Sequence, residues 1–112
     1  MKATLPEREK GVCCAPTITL RADRAEAAAD LLKALADRTR LQILAVLKRA
    51  KEPVCVCDFT AALDLSQPTI SHHMAKLKEA GLVEVSRAGI WSYYRLAGNL
   101  DAGTRTLLDV LV

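Results

Sequence analysis

The chain has 112 residues, 51% of them apolar, with 16 Lys and Arg against 13 Asp and Glu for a net charge of +3. That length suits one domain with a modest core, the apolar fraction excludes a disordered chain, and the small positive charge permits a nucleic-acid partner without demanding one. No run approaches the roughly 18 apolar residues of a membrane span, and Glu7-Arg8-Glu9-Lys10 interrupts any signal-peptide core, so no membrane partner and a cytoplasmic location are expected.

Residues 1–20 hold Pro6, Gly11, Pro16 and the pair Cys13-Cys14 without a sustained period. They are expected to form a flexible N-terminal arm, with residues 21–112 as the folded domain. A first helix is predicted over about 23–36, rich in Ala, with Leu31, Leu32 and Leu35 on one side. Asp37 suits the N-cap of a second helix through Arg49, where Leu41, Leu44, Ala45 and Leu47 recur at helical spacing. Lys51-Glu52-Pro53 ends it.

Val54-Cys55-Val56-Cys57-Asp58 leads into a short helix reaching about residue 63. Ser66 then caps a helix with Pro68 in its first turn, running to about 80, where Gly81 supplies a left-handed stop. Two β-rich runs, 82–87 and 90–96, are joined by Ala88-Gly89, a hairpin signature. A last helix over 101–111 presents Leu107, Leu108 and Leu111. This order predicts a mainly α fold with a small β-hairpin: a winged helix-turn-helix of about five helices plus a wing.

On the helix after Ser66, Ile70, Met74 and Leu77 share one face and should pack inward. The other side offers Gln67, Thr69, Ser71, His72 and Lys76. Short polar groups near a helix start suit base edges, and cations further along suit phosphates. Gln67 matches an adenine edge, and Thr69 a thymine methyl or a hydrogen bond to a base. Residues 71–95 add Lys78, Arg87 and Arg95 against only Glu79 and Glu84. Taken alone such a helix reads as an ordinary solvated face; the hairpin behind it favours nucleic acid. His72 and His73 point about a hundred degrees apart and cannot chelate one ion together, so His73 is expected on the core side.

Four cysteines in a reducing compartment read as metal ligands or redox switches. On a regular helix the sulfurs of Cys55 and Cys57 would diverge, so joint chelation needs an extended or distorted segment. Pro53 and the adjacent helix start give that freedom. Soft sulfur selects soft ions over manganese, magnesium or nickel. Four unrelated thiols, with Cys55 and Cys57 merely buried, is the plainer alternative. With no Cys-x-x-Cys, no glycine-rich phosphate loop and no acid–base constellation, neither catalysis nor an organic cofactor is expected.

Several stretches together resemble the ArsR/SmtB family of metal-sensing repressors: residues 32–37 (LKALAD), 39–44 (TRLQIL), 55–58 (CVCD), 65–73 (LSQPTISHH) and 80–83 (AGLV). The likeness covers about residues 30–96 in unbroken order. It implies a homodimer that represses from double-stranded operator DNA, contacting it through the helix after Ser66 and through a wing that maps to Arg87. It also implies release when As(III) or Sb(III) binds cysteine thiolates, derepressing a resistance operon. Arsenic sensors of one type carry a third cysteine three residues after such a pair; here that position is Thr60. The leading segment resembles the cysteine arm of cadmium and lead sensors and of arsenic sensors with a Cys-Cys pair. By that likeness Cys13, Cys14 and Cys55 would form a site between subunits, with Cys57 as a fourth ligand. Vicinal thiols fit a three-thiolate pyramid better than a tetrahedron, which favours As(III) or Sb(III) over Cd(II), Pb(II) or Zn(II). A thiol-redox trigger on the same fold is the other alternative. The family's zinc and nickel site on its last helix pair uses His, and residues 99–112 contain none. The Ala-rich first helix and the run Leu107-Leu108-Val110-Leu111-Val112 are the expected dimer interface.

Overall fold

The computed structural model describes residues 4, 7, 9–11 and 16–112; Cys13 and Cys14 lie outside these. Helix α1 (Ala22–Leu35) carries Asp23 in its first turn, which favours the positive helix start. Helix α2 (Arg38–Arg49) begins where Asp37 accepts a hydrogen bond from the Arg40 amide at 3.0 Å. A two-residue strand β1 (Val54–Cys55) leads straight into α3 (Val56–Leu63). Helix α3 stops at Asp64, whose φ of 52° is left-handed; a short polar side chain tolerates that conformation better than most. Helix α4 (Gln67–Glu79) starts on Ser66, which accepts from the Thr69 amide. It ends at Gly81, with φ 75°, where only glycine turns left without strain.

Strands β2 (Val83–Ala88) and β3 (Trp91–Leu96) pair antiparallel, from Val83 with Leu96 out to Ala88 with Trp91. The loop residues are therefore Gly89 and Ile90, one step later than the Ala88-Gly89 turn expected from sequence. Gly89 has φ 62° at the first loop position, where a II′-type hairpin wants glycine. The short strand β1 adds to the sheet on the other side of β3, Cys55 opposite Tyr93. Helix α5 (Ala102–Leu111) is capped by Asp101, which accepts from the Thr104 amide at 2.7 Å.

The core gathers Ile43, Leu44, Phe59, Ile70, Met74 and Leu77, all at most 1% exposed. The inward face of α4 is thus as predicted. In α1, Leu35 is buried and Leu31 packs against the core, but Leu32 is exposed. In α5, Leu108 is buried and Leu107 packs beside it, while Val110 and Leu111 face outward. The expected apolar stripes on α1 and α5 are wider than one chain's core can cover. Among the described residues no helix is long and apolar enough to cross a membrane.

Candidate functional site

The Cys55 and Cys57 sulfurs stand 2.7 Å apart, and both are free thiols. Their convergence has a local cause. Cys55 keeps extended backbone (φ −71°, ψ 144°) because it ends β1 and caps α3, so its side chain turns back over the first helical turn. There its sulfur accepts from the Cys57 amide at 3.4 Å. This is the departure from regular helix that joint chelation requires. Cys55 is buried and Cys57 exposed, so the pair is reachable from one side. The hydrogen bond to the Cys55 sulfur, then desolvation and nearby negative charge, hold the Cys57 thiol above its ordinary pKa. Thr60 spends its hydroxyl on the Cys57 carbonyl at 2.7 Å.

Two sulfurs fit a soft ion, and they are two donors only. Among the described residues no group of three or more His, Cys, Asp or Glu could hold a metal. A soft ion held by both sulfurs would fix their separation at the start of α3. Helix α3 packs directly on α4, and a cleft of about 620 Å³ runs from the thiol pair between α4 and the wing.

All six predicted nucleic-acid residues, Gln67, Thr69, Ser71, His72, Lys76 and Arg87, are exposed. They do not form one face. At about 100° per residue the α4 set spreads over much of the helix circumference. Gln67 and Ser71 line the cleft with Arg87 of the wing, while Lys76 borders a second groove with Lys33 and Arg40. The Thr69 hydroxyl shares a 2.9 Å hydrogen bond with Ser66. Lys78 also lines the cleft; it was part of the basic bias in sequence but not of the candidate site. Trp91, Ile90 and Tyr94 line it too, on the wing side. The one sequence signal for them is a lone tryptophan just past a turn.

The wing's cations are not equivalent. Arg95 binds Glu84 at 2.8 Å, and the Gly98 amide donates to the same carboxylate. The Gly98 amide, then Arg95, keep the Glu84 carboxyl below its usual pKa. Arg95 is thereby neutralised, whereas Arg87 has no ion pair among the described residues. His73 is not part of the exposed set: its Nδ1 accepts from Arg40 Nη1 at 3.2 Å, on the inward side as expected.

Comparison with known proteins adds to this geometry. Residues 37–85 match the family described as bacterial regulatory protein, arsR family. The chain is 46% identical over 79 residues to the arsenical resistance operon repressor of Escherichia coli, covering 70% of this chain and 67% of that protein. It is 50% identical over 66 residues to an arsenic resistance transcriptional regulator of Pseudomonas putida, covering 59% of this chain and 51% of that one. The alignment thus spans between about half and two thirds of these relatives' own length. Among solved structures it superposes on the homodimeric winged helix-turn-helix DNA-binding domain of a possible ArsR-family regulator from Mycobacterium bovis. That match has TM-score 0.68 and 33% identity, and covers 87% of this chain and 85% of the other.

Proposed function

Because the chain belongs to the ArsR family of bacterial transcriptional regulators, we propose that it represses transcription as a homodimer on operator DNA and lets go when As(III) or Sb(III) binds its thiolates. The observation that carries this reading is the 2.7 Å convergence of Cys55 and Cys57 at the entrance of α3, at one end of the cleft that Gln67, Ser71 and Arg87 also line. Capture of an ion at the head of α3 would move that helix against α4 and change how α4 meets the major groove. A coupling of about 1–3 kcal/mol per site would weaken DNA binding roughly five- to 150-fold.

In this reading Gln67, Thr69, Ser71 and His72 face bases, and Lys76 and Arg87 face phosphates. Cys13 and Cys14, on an arm formed by residues 1–20, supply the remaining thiolates from the partner subunit to Cys55, with Cys57 as the further ligand. Bound As(III) or Sb(III) exchanges hydroxide for thiolate and locks the donors into one pyramid. The exposed Leu32, Val110 and Leu111 support a dimer through α1 and α5. The names of the relatives support a metalloid as inducer over Cd(II), Pb(II) or Zn(II).

The test is operator release, by gel shift, across arsenite, antimonite, Cd(II), Pb(II) and Zn(II) for each Cys→Ser variant. Loss of arsenite response on replacing Cys55, or Cys13 and Cys14 together, with DNA affinity intact, is the expected result. An unchanged arsenite response in those variants removes the proposed site. A redox-triggered version draws on the same sulfur contact; release by peroxide without any metalloid would favour it.

A further inference from the structure

The wing turns on the loop Gly89-Ile90, where Ile90 is 90% exposed and Trp91 beside it 50% exposed. Neither the core nor the turn accounts for an isoleucine there. Gly89 supplies the positive φ of the first loop position, and the second is ordinarily served by Asn, Asp or Ser. Leu32, Val110 and Leu111 are exposed on α1 and α5, the helices of the proposed dimer, whereas Ile90 and Trp91 lie on the wing and border the cleft. The α4 wall of that cleft is one helix face, since Gln67, Ser71 and Lys78 point within about 40° of one another. Arg87 stands on the wing wall. None of the described residues lining the cleft is acidic, and neither Lys78 nor Arg87 has an ion pair among the described residues. Cations on both walls without a carboxylate fit a polyanionic strand.

We infer that Ile90 is an apolar wedge: with one sugar–phosphate strand of the duplex seated in the cleft, the wing tip enters the adjoining minor groove and Ile90 prises apart a base step. The inference rests on DNA binding through α4 as proposed above and adds a contact that reads deformability. With α4 in the major groove, the strand between Lys78 and Arg87 is the one that divides that groove from the next minor groove, where the tip arrives. A branched apolar side chain has no hydrogen bond to offer a base edge. It gains by leaving water, and in the minor groove it does so by unstacking a step, which kinks the duplex by about 20–90°. Pyrimidine–purine steps, TA and CA/TG, yield most readily. They are therefore selected at a position where the protein makes no hydrogen bond.

The experiment uses the full chain with Ile90→Asn and Ile90→Leu. A pool of random duplexes of roughly 30 base pairs, enough for two half-sites and their flanks, is selected on the unmodified chain, and the enriched sequence becomes the probe. TA or CA/TG steps should be enriched beside the positions read by α4. The bound probe should be bent in circular-permutation gels, and aminopurine placed at the flanking step should brighten on binding. Ile90→Asn should unfold in urea no earlier than the unmodified chain, because Asn suits that loop position. It should nevertheless bind the probe about three- to thirtyfold more weakly, lose about 20° or more of bend and leave the aminopurine dark. Ile90→Leu should retain all three signals. Equal bend and equal aminopurine emission for Ile90→Asn and the unmodified chain overturn the wedge. So does a change of oligomeric state in Ile90→Asn with the bend intact, which would give this tip to a second copy of the chain. Either result, obtained on an enriched sequence, leaves the proposed repressor standing; a pool with no enriched sequence removes both.

Discussion

Arg40 Nη1 donates to His73 Nδ1 across 3.2 Å, joining α2 to the inner side of α4. Arginine can only donate, so the bond fixes Nδ1 as an acceptor and puts the neutral ring's proton on Nε2. Asp37 Oδ1 lies 3.8 Å from the same nitrogen, beyond hydrogen-bond reach, so Arg40 is the partner. The rest of the guanidinium is used as well. Nε donates to the Ala34 carbonyl at 2.6 Å and Nη2 to that of Lys33 at 3.3 Å. Those carbonyls belong to the last turn of α1 and have no partner within the helix. One side chain thus ties α1, α2 and α4 together.

Replacing it should therefore loosen three elements at once. Arg40→Ala is expected to cost about 1–3 kcal/mol, because two partly buried acceptors, the Ala34 carbonyl and His73 Nδ1, are left without donors. Arg40→Lys should recover only part of this, since an ammonium cannot reproduce the planar fork. Urea unfolding measures both. Equal stability of the alanine variant and the unmodified chain would mean the three contacts contribute nothing net.

Asp37, the cap beside it, should make stability depend on acid. The Arg40 amide hydrogen bond, against some desolvation, holds its carboxyl below the ordinary value. A depressed folded pKa means stabilisation that is present above the unfolded pKa, about 3.9, and lost as pH falls through the folded value. Asp37→Ala should cost about 1 kcal/mol at neutral pH, and that gap should shrink below about pH 4. Asp37→Asn, which caps without titrating, should stay near wild type at neutral pH and lack the acid-dependent loss. A gap to alanine that persists undiminished in acid would assign the effect to something other than this carboxylate.

How far these features were legible beforehand depended on how local they are. Ile70, Met74 and Leu77 could be read because a helical period needs no distant partner. Strand β1 could not: two residues show no alternation, and their pairing partners Tyr93 and Tyr94 come much later in the chain. The hairpin turn shifted by one because Ala88 pairs with Trp91, a register that the Ala88-Gly89 wording leaves open. The sulfur pair was legible as a condition, that the segment not be regular helix, and the cap geometry of Cys55 meets it. The division of α4's polar residues between two grooves was missed because "opposite the core" covers most of a helix's circumference. Arg40 stands in the sequence only as one residue of the stretch 39–44, and its role is not legible there because its partners lie on two other helices.

The two flanks of α4 should behave differently on DNA. Gln67 lines the cleft, and on the proposed reading it meets a base edge, so Gln67→Ala should relax preference at one operator position and cost about 1–3 kcal/mol there. Lys76→Ala and Arg87→Ala should instead weaken binding to all sequences alike and flatten the salt dependence by roughly one ion each. Arg95→Ala should do little to the salt slope, because that cation is already held by Glu84. Binding to operator and scrambled duplexes over a salt series separates these. A salt slope that responds to Arg95 as much as to Arg87 would contradict the assignment of the free wing cation.

The identity of the inducer should be written in the pH dependence of release. A thiol binds as thiolate, and the Cys57 proton is held above its ordinary pKa, first by its hydrogen bond to the Cys55 sulfur. Cd(II) must expel one proton for each sulfur it takes, so its apparent affinity should rise about tenfold per pH unit per displaced proton while the thiols remain protonated. Arsenous acid is different, because each hydroxide it gives up leaves as water with a thiol proton and no net proton is released. Its release curve should therefore be nearly flat between about pH 6 and pH 8, a window in which arsenous acid stays neutral and ordinary thiols are mostly protonated. Operator-release midpoints for the two ligands, compared over that window, test this directly. A steep curve for arsenite would mean that capture does not proceed by exchange of hydroxide for thiol, and the pyramid of sulfurs would not be the species that frees the DNA.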